Sequence, residues 1–486
     1  MIKKPKIRFI DPQGRPGRPF NIFLKRYPPL GATILATILH QRGYDSAVYN
    51  ENFTGPVDQD AAIYRDICSA DVVGISIMTP TALRGYRIAD QLRRDAPDVR
   101  IIFGGVHATF CPEEALKHGD VVCRGEGENV IEKMLLGEIR SGIVDAPPVA
   151  DLDVIPPPDH FLIRGFEEFL KTCYKRELFE LPIATSRGCP YGCVFCSVTK
   201  MFGGTVRRQS PAKIERDLRH YRAQGFRFVF LYDDNFISDR EWAKDVLGRM
   251  RPLKLRFNAQ VRIDFSWTDR ARTHRDRGIL QALKDAGCSG LIMGYETLDD
   301  ETAKEWHKGY PGLGTSGLEQ QLLEDTQVLH DYGFWTYGMF VIGPQHTQRT
   351  VDRIVRFARR SQLHSLQVTI LTPLPGTRLF EEMRPHLIVD RFPEDWDYYD
   401  VTHCVWGNGR MSPEEASRAV LGAHKRYYRV GGWNARSIRH VARRRIPVTD
   451  RVMDLYTRFR GVRGIFGRWE AEINEYLAML KKRTGG

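Results

Sequence analysis

Three cysteines stand within eight residues of one another, Cys189, Cys193 and Cys196, in the run Ala184-Thr-Ser-Arg-Gly-Cys-Pro-Tyr-Gly-Cys-Val-Phe-Cys-Ser197. Thiolates gathered on one short loop are ligands for soft metals. Structural zinc takes four closed ligands, and an ordinary four-iron cluster takes four cysteines. No fourth cysteine or histidine stands at the usual short spacing, so three donors would leave one metal position open to a substrate. Two other readings stand beside this one: a zinc knuckle completed by a distant ligand, and three unrelated core cysteines. Pro190 and Gly192 are turn residues, which weighs against the second.

The elements that must position this loop follow from the alternation of apolar runs and helical patterns. Over residues 1–145 the strand-like runs are Ile7–Ile10, Asp45–Tyr49, Asp71–Ile77, Arg100–Gly105 and Asp120–Gly125, with a helix from Pro29 to Gly43. Strands alternating with helices predict an α/β, doubly wound, Rossmann-like parallel sheet, with ligands at the carboxyl ends of its strands. Ala146–Pro158 is proline-rich and aperiodic, and reads as a linker. With a lead-in helix it fills residues 146–180. Residues 181–400 resume the alternation for six cycles, with strand cores at Ile183–Thr185, Phe228–Tyr232, Arg256–Ala259, Gly290–Gly294, Thr336–Ile342 and Ser365–Leu371. That predicts a partial (β/α)6 TIM-type barrel. Residues 401–486 read as a helical C-terminal extension.

The cysteine run resembles the cluster motif of the radical S-adenosylmethionine (SAM) superfamily, Cys-x-x-x-Cys-x-aromatic-Cys, with Phe195 as the aromatic residue. The resemblance implies that Cys189, Cys193 and Cys196 hold a 4Fe–4S cluster whose unique iron chelates the amino and carboxylate groups of SAM. One electron from the reduced cluster then cleaves the sulfonium to methionine and a 5′-deoxyadenosyl radical. It also implies SAM contacts at the strand ends. Asp233 or Asp234, in Phe228-Val-Phe-Leu-Tyr-Asp-Asp-Asn-Phe236, falls near the SAM amino group. Glu296, in Leu291-Ile-Met-Gly-Tyr-Glu-Thr297, falls near the ribose. Arg262 falls near a carboxylate, and Gly343 and Thr372 end the fifth and sixth strands. The plainer alternatives are that the Asp pair caps the following helix and that Arg262 serves a structural ion pair.

In the front segment, Pro29-Leu-Gly31, Gly74-Ile-Ser-Ile-Met-Thr79, Gly104-Gly-Val-His-Ala-Thr109 and Arg124-Gly-Glu-Gly-Glu128 resemble, in that order, the cobalamin-binding domain that precedes many radical SAM barrels. The resemblance implies that Ser76, Thr79, Gly104, Gly105, His107, Gly125 and Glu126 border the cofactor. The Asp-x-His-x-x-Gly motif, whose histidine ligates cobalt in many cobalamin proteins, is absent. Base-off cobalamin with no protein histidine beneath the metal is therefore expected, with a degenerate domain that has lost cobalamin as the alternative; His107 reads as a loop or tail contact, as a packed structural histidine, or as a cobalt ligand. Cys68, Cys111 and Cys123 raise a rival reading, a tRNA methylthiotransferase with a second cluster. Cys123 sits in an apolar strand and Cys68 in a helical pattern, which suits packing better.

The 486 residues are 42% hydrophobic and 27% charged, which excludes a disordered chain, a collagen and a disulfide scaffold. No run approaches the ~20 apolar residues of a membrane span. The basic start Met1–Ile10 has no apolar signal core, so a cytoplasmic protein is expected. Lys and Arg exceed Asp and Glu by 72 to 60, and thirteen of these cations lie between Lys425 and Arg468 against Asp450 and Asp454. A stretch of this kind reads as a solvated face over the barrel or as a contact to an anionic membrane surface; nucleic acid is the less expected partner. The expected activity is methylation of an unactivated carbon in a small-molecule or lipid substrate. A low-potential donor such as flavodoxin or ferredoxin would supply electrons. Oxidative cyclisation or rearrangement of a tetrapyrrole or lipid is the alternative outcome on the same architecture, and a non-enzymatic cobalamin or iron–sulfur sensor is the alternative outside enzymes.

Overall fold

The computed structural model describes residues 4–15, 27–173, 176–269, 272–310, 317–428 and 448–484. Strands β1 (Lys6–Asp11), β2 (Asp45–Asn50), β3 (Val72–Ser76), β4 (Arg100–Gly104), β5 (Val121–Gly125) and β6 (Gly142–Ala146) form one parallel sheet in the order β2-β1-β3-β4-β5-β6. Their apolar runs are continuous rather than alternating because helices cover both faces of such a sheet. Strand order reverses between β1 and β3, which opens a crevice at their carboxyl ends. The helix Leu30–Gln41 ends where Gly43 adopts a left-handed φ, as the sequence predicts.

β6 was not legible in the sequence. It is a short edge strand with half-buried, mixed residues (Gly-Ile-Val-Asp-Ala), so it carries neither an apolar run nor a clean alternation. The segment read as a linker is packed rather than free. Val149, Leu152 and Ile155 are buried against Ile34 and Ile38 of the first helix, so this segment is strapped to the front sheet.

The second sheet is made of β7 (Glu180–Ile183), β10 (Phe228–Leu231), β11 (Arg256–Arg262), β12 (Cys288–Glu296), β13 (Trp335–Ile342) and β14 (Ser365–Ile370). All pairs are parallel, in the order β14-β13-β12-β11-β10-β7, and β7 and β14 are not bonded to each other. This is the expected incomplete barrel. A two-stranded antiparallel hairpin, β8 (Ser186–Arg187) with β9 (Arg207–Arg208), stands at the mouth. β7 begins three residues before its predicted position because Pro182 hid it; proline is tolerated there since β7 is an edge strand.

The first residues of the extension, from position 401, pack against the last barrel strand. Ile370 N–H donates to Val401 O at 2.8 Å, and Trp406 Nε1 donates to Leu371 O at 2.8 Å. The helix Pro413–Tyr427 opens with the predicted capping box at Ser412 and Glu415. It covers the free edge of β14: Val368 N–H donates to His424 Nε2 at 3.2 Å, and Leu366 N–H to Tyr428 Oη at 3.0 Å. An open sheet edge is thereby satisfied. No described helix is long and apolar enough to cross a membrane. The Arg443–Arg445 run and Trp433 of the basic stretch lie outside the described residues.

Candidate active site at the facing strand ends

The three cysteines occupy the excursion between β8 and β9, beyond the carboxyl end of β7. All three are free thiols and only partly buried. Val194, between the second and third, is buried and pins the loop: its N–H donates to Trp306 O at 3.2 Å and its carbonyl accepts from Leu379 N–H at 3.1 Å. The Phe195 ring meets Trp306 edge-on at 5.9 Å. Among the described residues no group of three His, Cys, Asp or Glu side chains is gathered for a single ion. A zinc knuckle needs four donors within ~2.3 Å of one metal, whereas the cysteines of a cluster each hold a different iron. Three partly buried thiols on one pinned loop fit such a cluster. Burial pushes the Cys196 thiol up to about 11, a penalty that a cationic metal centre removes.

The two neighbouring acids behave differently. Asp233 is fully buried and accepts four hydrogen bonds: Thr185 N–H at 2.8 Å, Thr185 Oγ1 at 2.7 Å, Ser186 N–H at 2.5 Å and Ser186 Oγ at 2.9 Å. Oδ1 accepts three of these bonds and Oδ2 one, all from the base of the cysteine loop, so Asp233 anchors that loop. Asp234 accepts only from Gly188 N–H, at 3.3 Å, and its charge acts on Cys189 and Cys196. Burial, and secondarily the charge of Asp233, push Asp234 up to about 6.

Glu296 ends β12 at a register shift, where Gly294 pairs with Met339 and Glu296 with Phe340. Its φ of +60° is a strained value for a glutamate. The bulge re-aims the side chain onto Lys308, whose Nζ donates to Oε1 at 2.8 Å. A Cβ on Gly294 would lie 2.1 Å from Glu296 Oε1 and 2.9 Å from Lys308 Nζ, so the pair occupies the space glycine leaves. Lys308 was missed by sequence reasoning; one lysine in a polar segment carries no signal. Arg262 holds Asp264 through two contacts of 3.0 Å, donates to Lys308 O at 2.8 Å, and lies over the Tyr191 ring at 3.9 Å. It serves an ion pair and supports the cysteine loop through Tyr191. Thr372 is buried and donates to Ile370 O. At Gly343 the space of the missing Cβ is filled by Gln345, Trp306 and Leu371.

The front sheet points the ends of β3, β4 and β5 at this region. A Cβ on Gly104 would meet nothing within 4 Å, so the backbone there faces open space. Half-buried Ser76 lies beside it, whereas Thr79 is buried and its Oγ1 faces His107 Nδ1 at 3.3 Å. Gly105 and Gly125 adopt φ of +92° and +90°, and their Cβ positions are closed by Ile77 O and Ala146 O; the chain itself demands these glycines. His107 is fully buried, with Nε2 3.1 Å from Glu114 Oε1 and the ring against Trp396. Both nitrogens are engaged by protein groups, so the ring is packed within the front domain. Glu126 is likewise committed: it accepts from Arg187 at 2.7 Å, from Val149 N–H at 2.9 Å and from Arg207 Nη1 at 2.9 Å. Cys123 is buried in β5, Cys68 ends the helix Ala61–Cys68, and Cys111 lies between two short helices; among the described residues they join no ligand group.

The B12-binding domain model matches residues 23–135, and the radical SAM superfamily model matches residues 183–358. The chain is 27% identical to bacteriochlorophyllide d C-8(2)-methyltransferase of Chlorobaculum tepidum, over 75% of this chain and 78% of that protein. It is 23% identical to the anaerobic magnesium-protoporphyrin IX monomethyl ester cyclase of Cereibacter sphaeroides, over 83% of this chain and 67% of that protein. The cobalamin-dependent SAM radical enzyme OxsB, solved with aqua-cobalamin bound, shares the fold at a TM-score of 0.65 and 14% identity, over 98% of this chain and 80% of that chain. The chain is a radical SAM enzyme with an N-terminal B12-binding domain.

Proposed function

We propose that this enzyme methylates an unactivated carbon of a small-molecule substrate in the cleft between the two sheets. The observation that supports the reading is the joining of the β5 loop to the cysteine loop through Arg187, Arg207, Glu126 and Glu128, which holds the two candidate cofactor loops side by side. When bound, the cluster supplies the electron that cleaves SAM, and cobalamin supplies the methyl group. Cys189, Cys193 and Cys196 would hold the cluster. Asp234 and the Glu296–Lys308 pair offer an acceptor and a donor to the polar groups of SAM. The loops at Ser76 and Gly104 would seat the corrin. Tyr232, which is 54% exposed although it follows an inner strand, gives the cleft an aromatic wall for the substrate.

The test is anaerobic reconstitution with iron, sulfide and hydroxocobalamin, followed by SAM and a strong reductant. Iron near ~4 per chain, retained cobalamin and release of 5′-deoxyadenosine support the reading, as does loss of iron in Cys189→Ala. Iron near ~8 would instead fit the methylthiotransferase. The cyclase relative favours a second outcome, oxidative ring closure, which mass analysis of a product separates by the absence of a one-methyl gain. Electron supply by flavodoxin or ferredoxin, and attachment of the basic stretch to an anionic membrane, belong to the same proposal; flotation with anionic vesicles tests the latter.

A further inference from the structure

The loop carrying the three cysteines leaves the barrel at Arg187 and returns at Arg207, and these two residues are register partners in the β8–β9 hairpin. Both arginines reach the front domain. Arg187 Nη1 is 2.7 Å from Glu126 Oε2 and its Nη2 is 2.5 Å from Glu128 Oε1. Arg207 contacts both oxygens of Glu126 and donates to Val149 O at 2.6 Å. The four side chains are 4–15% exposed, so the cluster is a largely desolvated, charge-balanced neck. Glu126 directly follows Gly125, where the β5 loop turns toward the cleft. Forked guanidinium contacts fix direction as well as distance, which an ammonium does not.

We infer that Arg187, with Arg207 beside it, is a positioning residue that clamps the cysteine loop to the β5 loop and thereby sets the approach of cobalamin to SAM. This rests on the proposed function, since it needs both cofactors in the cleft. Arg187 touches neither reacting atom; it acts through Gly188 and Cys189 on one side and through Glu126 and Glu128 on the other. Displacing one reacting group by about 1 Å can lower a rate by about a hundredfold, so a loosened neck separates methyl transfer to cobalamin from SAM cleavage.

The experiment uses full-length protein with reconstituted cluster, as wild type, Arg187→Lys and Glu128→Gln; the second variant keeps Arg187 and its grip on Glu126. A strong reductant is present, which brings hydroxocobalamin to Co(I) and charges the cluster with the electron for SAM cleavage. Two quantities are read: methylcobalamin formed, with one S-adenosylhomocysteine left from the SAM that gave its methyl group, per 5′-deoxyadenosine released from a second SAM; and hydrogen exchange at residues 104–109 and 186–196 with and without hydroxocobalamin. In the wild type, hydroxocobalamin slows exchange at 104–109 and also at 186–196. In both variants the slowing at 104–109 persists, that at 186–196 is lost, and the product ratio falls by about tenfold or more. Cobalamin retained with an unchanged ratio and unchanged exchange in both variants overturns the inference alone. An equal fall of methylcobalamin and 5′-deoxyadenosine also overturns it, because a merely structural arginine would act so. A wild type that retains no cobalamin overturns the proposed function and the inference with it.

Discussion

Lys308 Nζ lies 2.8 Å from Glu296 Oε1, and both side chains are about nine-tenths buried at the carboxyl end of β12. Glu296→Ala leaves an ammonium without its partner and should destabilise the protein by about 3 kcal/mol, read from the urea midpoint. Glu296→Gln keeps an acceptor for Lys308 but loses the charge. Its expected effect is a SAM dissociation constant raised about tenfold with little loss of stability, a charged hydrogen bond being worth roughly 1.5–3 kcal/mol. Calorimetric titration with SAM checks this, and unchanged affinity would remove Glu296 from the SAM site.

The adjacent acids give opposite expectations. Asp233→Asn replaces an acceptor of four hydrogen bonds at the base of the cysteine loop, so iron content after reconstitution should drop by more than half. Asp234→Asn leaves that base intact; iron should stay near ~4 per chain while SAM binding weakens. Iron assays on the two variants side by side decide it, and equal iron contents would refute the division of labour.

His107 makes a third case. Because both ring nitrogens face protein groups, His107→Gln should leave the visible spectrum of bound cobalamin unchanged. It should lower thermal stability through the lost contacts to Glu114 and Trp396. A spectral change to a different axial ligand state would show that the histidine leaves its pocket for the cobalt.

His424 links stability to pH. Burial pulls its pKa down to about 4, while the unfolded chain titrates near 6.5. As pH falls from 6.5 toward 4 the unfolded state takes up the proton first, so this residue's contribution is lost with acidification, by up to about 1.4 kcal/mol per pH unit. His160 and His346 act in the same direction, and Asp11 and Asp234, raised to about 7 and about 6, act in the opposite one. The clean measurement is therefore a difference: unfolding free energy against pH for wild type and His424→Gln, with the variant showing the shallower acid slope. Parallel curves would mean that Val368 N–H does not rely on a neutral imidazole.

Much of this protein was readable before any fold was drawn, because the information is local. Three ligands on one excursion need no tertiary contact to be recognised. The alternation of buried strands with helices is likewise written in short windows, which is why both parallel sheets and the glycines at their strand ends were anticipated. The failures share one cause. Edge strands such as β6 and β7 are short and carry proline or polar residues, so their pattern is weak. Charged residues have no period at all. Nothing in the identities of Arg187 and Glu128, 59 positions apart, or of His424 and Val368, 56 apart, says that they meet. Likewise an aspartate pair gives no hint that Asp233 is surrounded by four donors while Asp234 has one. Chemistry that resides in a contiguous motif is set by sequence; which charges are paired, which acids stay available and how two domains share one cleft are set by long-range burial, and only the folded chain decides them.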